Sequence, residues 1–190
     1  MTGPMSLPGP SPIPDFDPQK FFVSLLEIST RVILHPKDFF DGMKKDGGIR
    51  NPLIYLAACV TVQTLLASLL LGNPSNIPRN LAFGMVFPLL TAAILFLIVN
   101  RLFKAPGTYE MALRVNAYAG AVSLLSWIPL IGMILEFYRL YLIGVGLSCA
   151  FSIKGSRAFL AILLTLIGYI IASGAVAHLA GGRLPMSPGL

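Results

Sequence analysis

The residues best suited to chemistry are Glu136 and Arg139, in the run Glu136-Phe137-Tyr138-Arg139. Three positions apart, they share one face of a helix. They also sit inside a long apolar stretch. A charge at the centre of a bilayer costs about 2.5–3.5 kcal/mol on insertion scales, so such residues face a bundle interior or a wet cavity. Tyr138 and Tyr141 lie beside them, and Arg114, Asn116 and Tyr118 fall on the preceding apolar segment. These seven form a candidate intramembrane polar site. Its functional forms are a substrate or ion site and a proton relay. Two structural forms stand against them: a buried ion pair that fixes helix packing, and a shallow pair that snorkels to the interface.

Other chemistry is absent from the pattern. There is no G-x-S-x-G, H-E-x-x-H, Walker A or G-x-G-x-x-G motif, so the expectation is a non-enzyme. Cys59 and Cys149 fall inside apolar runs without metal-ligand spacing and read as inert buried thiols. His35 and His178 have no ligand set around them, so neither a metal nor a cofactor is expected. Gln63 and Asn100 are isolated polar groups suited to helix–helix hydrogen bonds.

The elements that must hold the site follow from composition. Of 190 residues, 55% are hydrophobic and 12% charged, and the mean hydropathy is +0.78. A soluble domain carries about 25% charged residues. So much apolar surface in a chain this size calls for lipid, as all-α spans of about 20 residues. The net charge of +6 is placed between apolar runs. It therefore speaks for orientation in a membrane and not for nucleic acid. Residues 1–18 contain six prolines and are expected to be a disordered leader, not a signal peptide. Residues 19–49 read as amphipathic interfacial helices. In 21–34, Ser24, Glu27 and Arg31 form one polar stripe. In 36–46, Phe39, Phe40 and Met43 cluster opposite Lys37, Lys44 and Lys45, the pattern of a membrane-surface helix.

Five spans are expected within 50–181: 53–71, 81–99 with Pro88 inside, 109–127, 130–152 and 158–180. Residues 182–190 are a short tail. Thr108 suits an N-cap, with Glu110 in the first turn. The division between spans three and four rests on Trp127 at an interface and Pro129 in a first turn. Gly168 with Ala172, and Ser173 with Ala177, are small-xxx-small pairs that favour close contact within the chain. Eleven basic residues fall on one side of this arrangement and two, Arg79 and Arg183, on the other. The bias places the N-terminus in the cytoplasm and the C-terminus outside.

Three stretches resemble the Yip-domain (Ypt/Rab-interacting protein) family. His35-Pro36-Lys37-Asp38-Phe39-Phe40-Asp41-Gly42-Met43 is similar to its P-x-x-F-F-x-x-M segment. Residues 107–118, from Gly107 through Tyr109 and Arg114 to Tyr118, resemble G-x-Y-x-x-x-x-R-x-x-x-Y. Residues 138–147 resemble Y-x-x-Y-L-x-x-x-G-L. The likeness runs over about residues 33–180 and implies a five-span membrane fold. Eukaryotic members act in vesicle traffic between endoplasmic reticulum and Golgi and bind prenylated Rab-type GTPases. This chain has a short Pro-rich leader without their acidic D-L-x-G-P-type motif, which puts GTPase binding in doubt. It looks like the compact prokaryotic branch, in the inner membrane. Two functions follow as expectations. One is a scaffold or adaptor whose partners are the bilayer and a second copy or another membrane protein. The other is a small transporter or channel built on Glu136 and Arg139.

Overall fold

A computed structural model of the chain describes residues 15–181 apart from Asn73 and Pro129, with backbone alone at Leu71 and at 172–181. The expected tail 182–190, the first fourteen residues of the leader, and the side chains of Ala172, Ser173, Ala177 and His178 lie outside the described residues.

Several helix ends fall at a proline, a glycine or a capping side chain. After a short 3-10 turn, Pro18–Lys20, capped by Asp17, helix α1 runs Phe21–Leu34. Its polar stripe is divided. Glu27 pairs with Arg31 in an exposed bridge of 2.8 Å, whereas Ser24 is buried and its Oγ accepts from the Asp17 N–H at 2.9 Å. Pro36, with no N–H to lose, opens α2, Pro36–Gly42. Helix α3, Arg50–Leu71, ends at Gly72, whose φ of 62° is left-handed. Helix α4, Ile77–Phe103, carries Pro88 within it. Thr108 caps α5, Tyr109–Ala119, its Oγ1 accepting from the Met111 N–H at 3.4 Å. A 3-10 stretch, Gly120–Leu124, follows. Helices α6, Ile131–Phe151, and α7, Gly155–Gly181, complete the chain.

Among the described residues, three stretches are long and apolar enough to cross a membrane: 50–70, 74–103 and 131–151, with a shorter apolar stretch at Gly155–Ile171. The expected span 109–127 takes a different form. Helix α5 is 11 residues, about 16 Å long, and every residue from Met111 to Ser123 is buried within the protein. Its neighbours are α3, α4 and α6 and the first turns of the chain. An apolar run satisfied by protein looks, in sequence, like one satisfied by lipid. Gly168 has open space where a Cβ would sit, so it makes no close helix contact.

Helix α2 also departs from expectation. Phe39, Phe40 and Met43, expected at the membrane surface, are covered by the chain itself. The Phe39 ring meets Phe40 edge-on at 5.4 Å and Tyr118 at 5.2 Å. Phe40 seats against α6 at Gly146, where an added Cβ would crowd both its ring and Val115. Burying each Phe contributes about 1.5–3 kcal/mol, whether the cover is lipid or helix. The helix expected over 36–46 stops at Gly42, so of the three lysines only Lys37 lies on it; Lys37, Lys44 and Lys45 are all exposed.

Candidate functional site

The seven polar residues expected together separate into different places. Arg114 and Tyr118 belong to one cluster. Its guanidinium lies on α5, fully buried. All five of its N–H groups meet an oxygen. Nη1 donates to Asp15 Oδ1 at 2.8 Å and to the Lys44 carbonyl at 3.2 Å. Nη2 donates to Asp15 Oδ2 at 3.1 Å and to the Gly48 carbonyl at 2.8 Å. Nε donates to Glu110 Oε1 at 3.2 Å. The fork-to-fork pairing with Asp15 is the strong, directional form of an ion pair.

The surrounding groups complete the cluster. Glu110 Oε1 also accepts the Gly48 N–H at 2.7 Å. The Tyr118 hydroxyl donates to Asp15 Oδ1 at 3.1 Å and accepts from the Phe16 N–H at 3.4 Å. Phe16 is fully buried, edge-on to Phe21 and Tyr55 at 5.6 and 5.7 Å. Gly47 has φ 136°, and a Cβ there would stand 3.0 Å from Arg114 Nη2. Only glycine combines that backbone with so close an approach. The arrangement clamps residues 15–17 and the 44–48 loop onto α5.

This cluster corrects the expected leader. Residues 15–18 are an ordered part of the fold, because Asp15 and Phe16 find a buried cation and an aromatic pocket. The sequence reading assigned no site role to Asp15, Phe16, Glu110, Gly47 or Gly48. The available signal was local: an Asp-Phe-Asp triplet standing inside a Pro-rich segment, and a Gly-Gly pair just after a basic helix.

Glu136 and Arg139 form the second place. Glu136 Oε2 lies 3.8 Å from Arg139 Nη1, too long for a hydrogen bond. Arg139 Nε is buried without a hydrogen-bond partner, and so is Asn116 Oδ1. Asn116 Nδ2 donates to the Pro88 carbonyl at 2.8 Å. The neighbouring carbonyls of α4 accept as well, Phe87 from Thr91 at 2.8 Å and Leu89 from Tyr109 at 3.3 Å. Three successive carbonyls beside the internal proline thus each accept from a side chain. Two adjoining cavities, of about 150 and 300 Å3, share Phe87, Pro88, Glu136 and Arg139 as walls. The smaller adds Asn116 and Tyr169, the larger Gln63, Asn80 and Ser123.

The two tyrosines of α6 serve other contacts. Tyr138 donates to the Ile33 carbonyl at 2.6 Å, joining α6 to the end of α1. Tyr141 stacks on Tyr138 at 5.6 Å and opens onto an outer groove. Among the described residues, no group of three His, Cys, Asp or Glu side chains could hold a metal ion.

Apolar helices of spanning length around a buried, fully paired arginine define a multi-pass membrane protein. The Yip1 domain family model matches residues 30–175, and the chain belongs to that family. No curated protein and no solved structure matches it.

Proposed function

We propose that the protein is a non-enzymatic membrane scaffold or adaptor in membrane organisation or trafficking. The observation that carries this reading is the Arg114 clamp. It joins the N-terminal segment, the 44–48 loop and α5 into one platform at the basic end of the bundle. Five bonds leave the guanidinium no capacity for a substrate. Lys37, Lys44 and Lys45 stay exposed on that platform, suited to anionic headgroups or an acidic partner face. The partner is a second copy or another membrane protein. GTPase binding is not part of the proposal. Purification from mild detergent should recover a stoichiometric partner or a stable homo-oligomer, and Arg114→Leu should release it. A partner-free monomer under those conditions would overturn the reading.

The orientation belongs to the same proposal, with α5 and the 3-10 stretch after it taken as a crossing sheathed by the other helices and not by lipid. The basic bias supports a cytoplasmic N-terminus and an outer C-terminus in a prokaryotic inner membrane. A reporter fused at Ile128 should then report the outer face. A cytoplasmic signal would remove the division between spans three and four.

A second reading, a small transporter or channel, is favoured by one observation: the unpartnered Arg139 Nε and Asn116 Oδ1, two residues that line the smaller of the polar cavities. If it holds, protein in liposomes passes an ion or solute, and Glu136→Gln or Arg139→Gln changes the flux. Absence of flux across a broad solute panel would discard it.

A further inference from the structure

A cavity larger than either of the two at Glu136 and Arg139 lies outside both polar places. It is an open groove of about 670 Å3 between α6 and α7. Its length is walled by apolar side chains, among them Phe137, Leu140 and Val145 on α6 and Phe159, Leu163 and Leu166 on α7. Lys37 of α2 stands at the end where the two helices join, beside Cys149 and Gly155, and is the one charged residue in the lining among the described residues.

The dimensions fit one kind of molecule. From Phe137 to Cys149 the groove follows α6 for about 18 Å at 1.5 Å per residue. One leaflet of the hydrocarbon core is about 15 Å deep, half of roughly 30 Å. The cation marks one end only. Lys37 makes no ion pair among the described residues and is exposed. Lys45 lies near Cys149 as well, with Asp41 the acid between them. Gly155 begins α7 and lines the groove, so the positive dipole end of that helix lies at the same end.

We propose that the groove between α6 and α7 is a binding site for one anionic phospholipid, its acyl chain along the groove and its phosphate at Lys37. A leaflet-deep apolar channel with a cation at its rim matches an amphiphile with a negative head. A zwitterionic lipid fills the same channel but gains less from the rim. The groove shares Lys37 with the platform beside the Arg114 clamp, but none of the clamp's own residues lines it, and it holds lipid whether or not the protein acts as an adaptor.

Native mass spectrometry of the full chain tests this, with phosphatidylglycerol and phosphatidylcholine of identical acyl chains. The wild type should retain one phosphatidylglycerol, favoured about fivefold, the worth of one lysine at an anionic surface. Lys37→Gln should bring the ratio to about one while retaining lipid. Gly144→Leu fills the groove from α6, where an added Cβ meets only Ile162 Cδ1 at 3.4 Å. It should lose both lipids and keep the wild-type helical circular dichroism. Equal retention of the two lipids by the wild type overturns the proposal. So does an undiminished preference in Lys37→Gln, or a dimer without lipid in place of the bound species.

Discussion

Two arginines in one small bundle have opposite surroundings. Arg114 has five acceptors for five N–H groups and no exposure. Arg139 has one carboxylate at 3.8 Å and a buried Nε with nothing opposite it. The difference lies in where the partners come from. Arg139 is paired by its own helix, three residues away, and helix geometry fixes how well the two can meet. Arg114 is paired mostly by distant chain, from Asp15, Lys44 and Gly48, which can adjust to it. A charge is well satisfied in a membrane bundle when flexible segments are free to close around it.

Breaking the better site should cost most. Arg114→Leu strands Asp15 and Glu110, and loss of one partner of a buried pair costs about 3–5 kcal/mol. Thermal unfolding in detergent should show a large drop, and Arg114→Lys should not restore it, lacking the planar fork. An unchanged midpoint would end the contrast between the two arginines. Asp15→Asn keeps the shape but removes the charge, with an expected loss of about 1–3 kcal/mol. Limited proteolysis should then cut the N-terminal segment faster than in the wild type. Equal cutting rates would mean that the ion pair does not hold the segment.

Gly47→Ala tests the fit of the loop and not the charge. A side chain at φ 136° beside Nη2 should cost about 1–2 kcal/mol, within the range for strained backbone positions. The smallest effect belongs to the weaker site. Arg139→Gln should shift stability by no more than about 1 kcal/mol, the scale of a loosely held pair. A loss as large as that of Arg114→Leu would show that the 3.8 Å geometry understates the Glu136 interaction.

Much of this was legible in the sequence. Apolar runs bounded by Gly, Pro and charge located α3, α4, α6 and α7 to within a few residues, because those boundaries are set locally. The family likeness was legible for the same reason: its motifs lie within continuous stretches. Helix α5 was harder. Val115 to Leu125 is as apolar as a span, and periodicity does not say whether lipid or helix covers it. Phe39 and Phe40 pose the same ambiguity on α2. The Arg114 cluster was illegible for another reason. Its partners lie 99, 70 and 66 residues away, and no local pattern encodes such pairings. The Glu136–Arg139 pair stood out because both charges sit on one helix, and that conspicuous pair is the less tightly bonded of the two.

The clamp on residues 15–17 also bears on biosynthesis. Asp15 emerges from the ribosome 99 residues before Arg114, yet neither reaches its final surroundings without the other. A segment translated early is therefore among the last to be seated. Until α5 is in place, Phe16 has no Tyr118 hydroxyl above its N–H and Arg114 must keep its water. Nascent chains halted before Tyr118 should expose the N-terminal segment to protease, while chains extended past it should begin to shelter it.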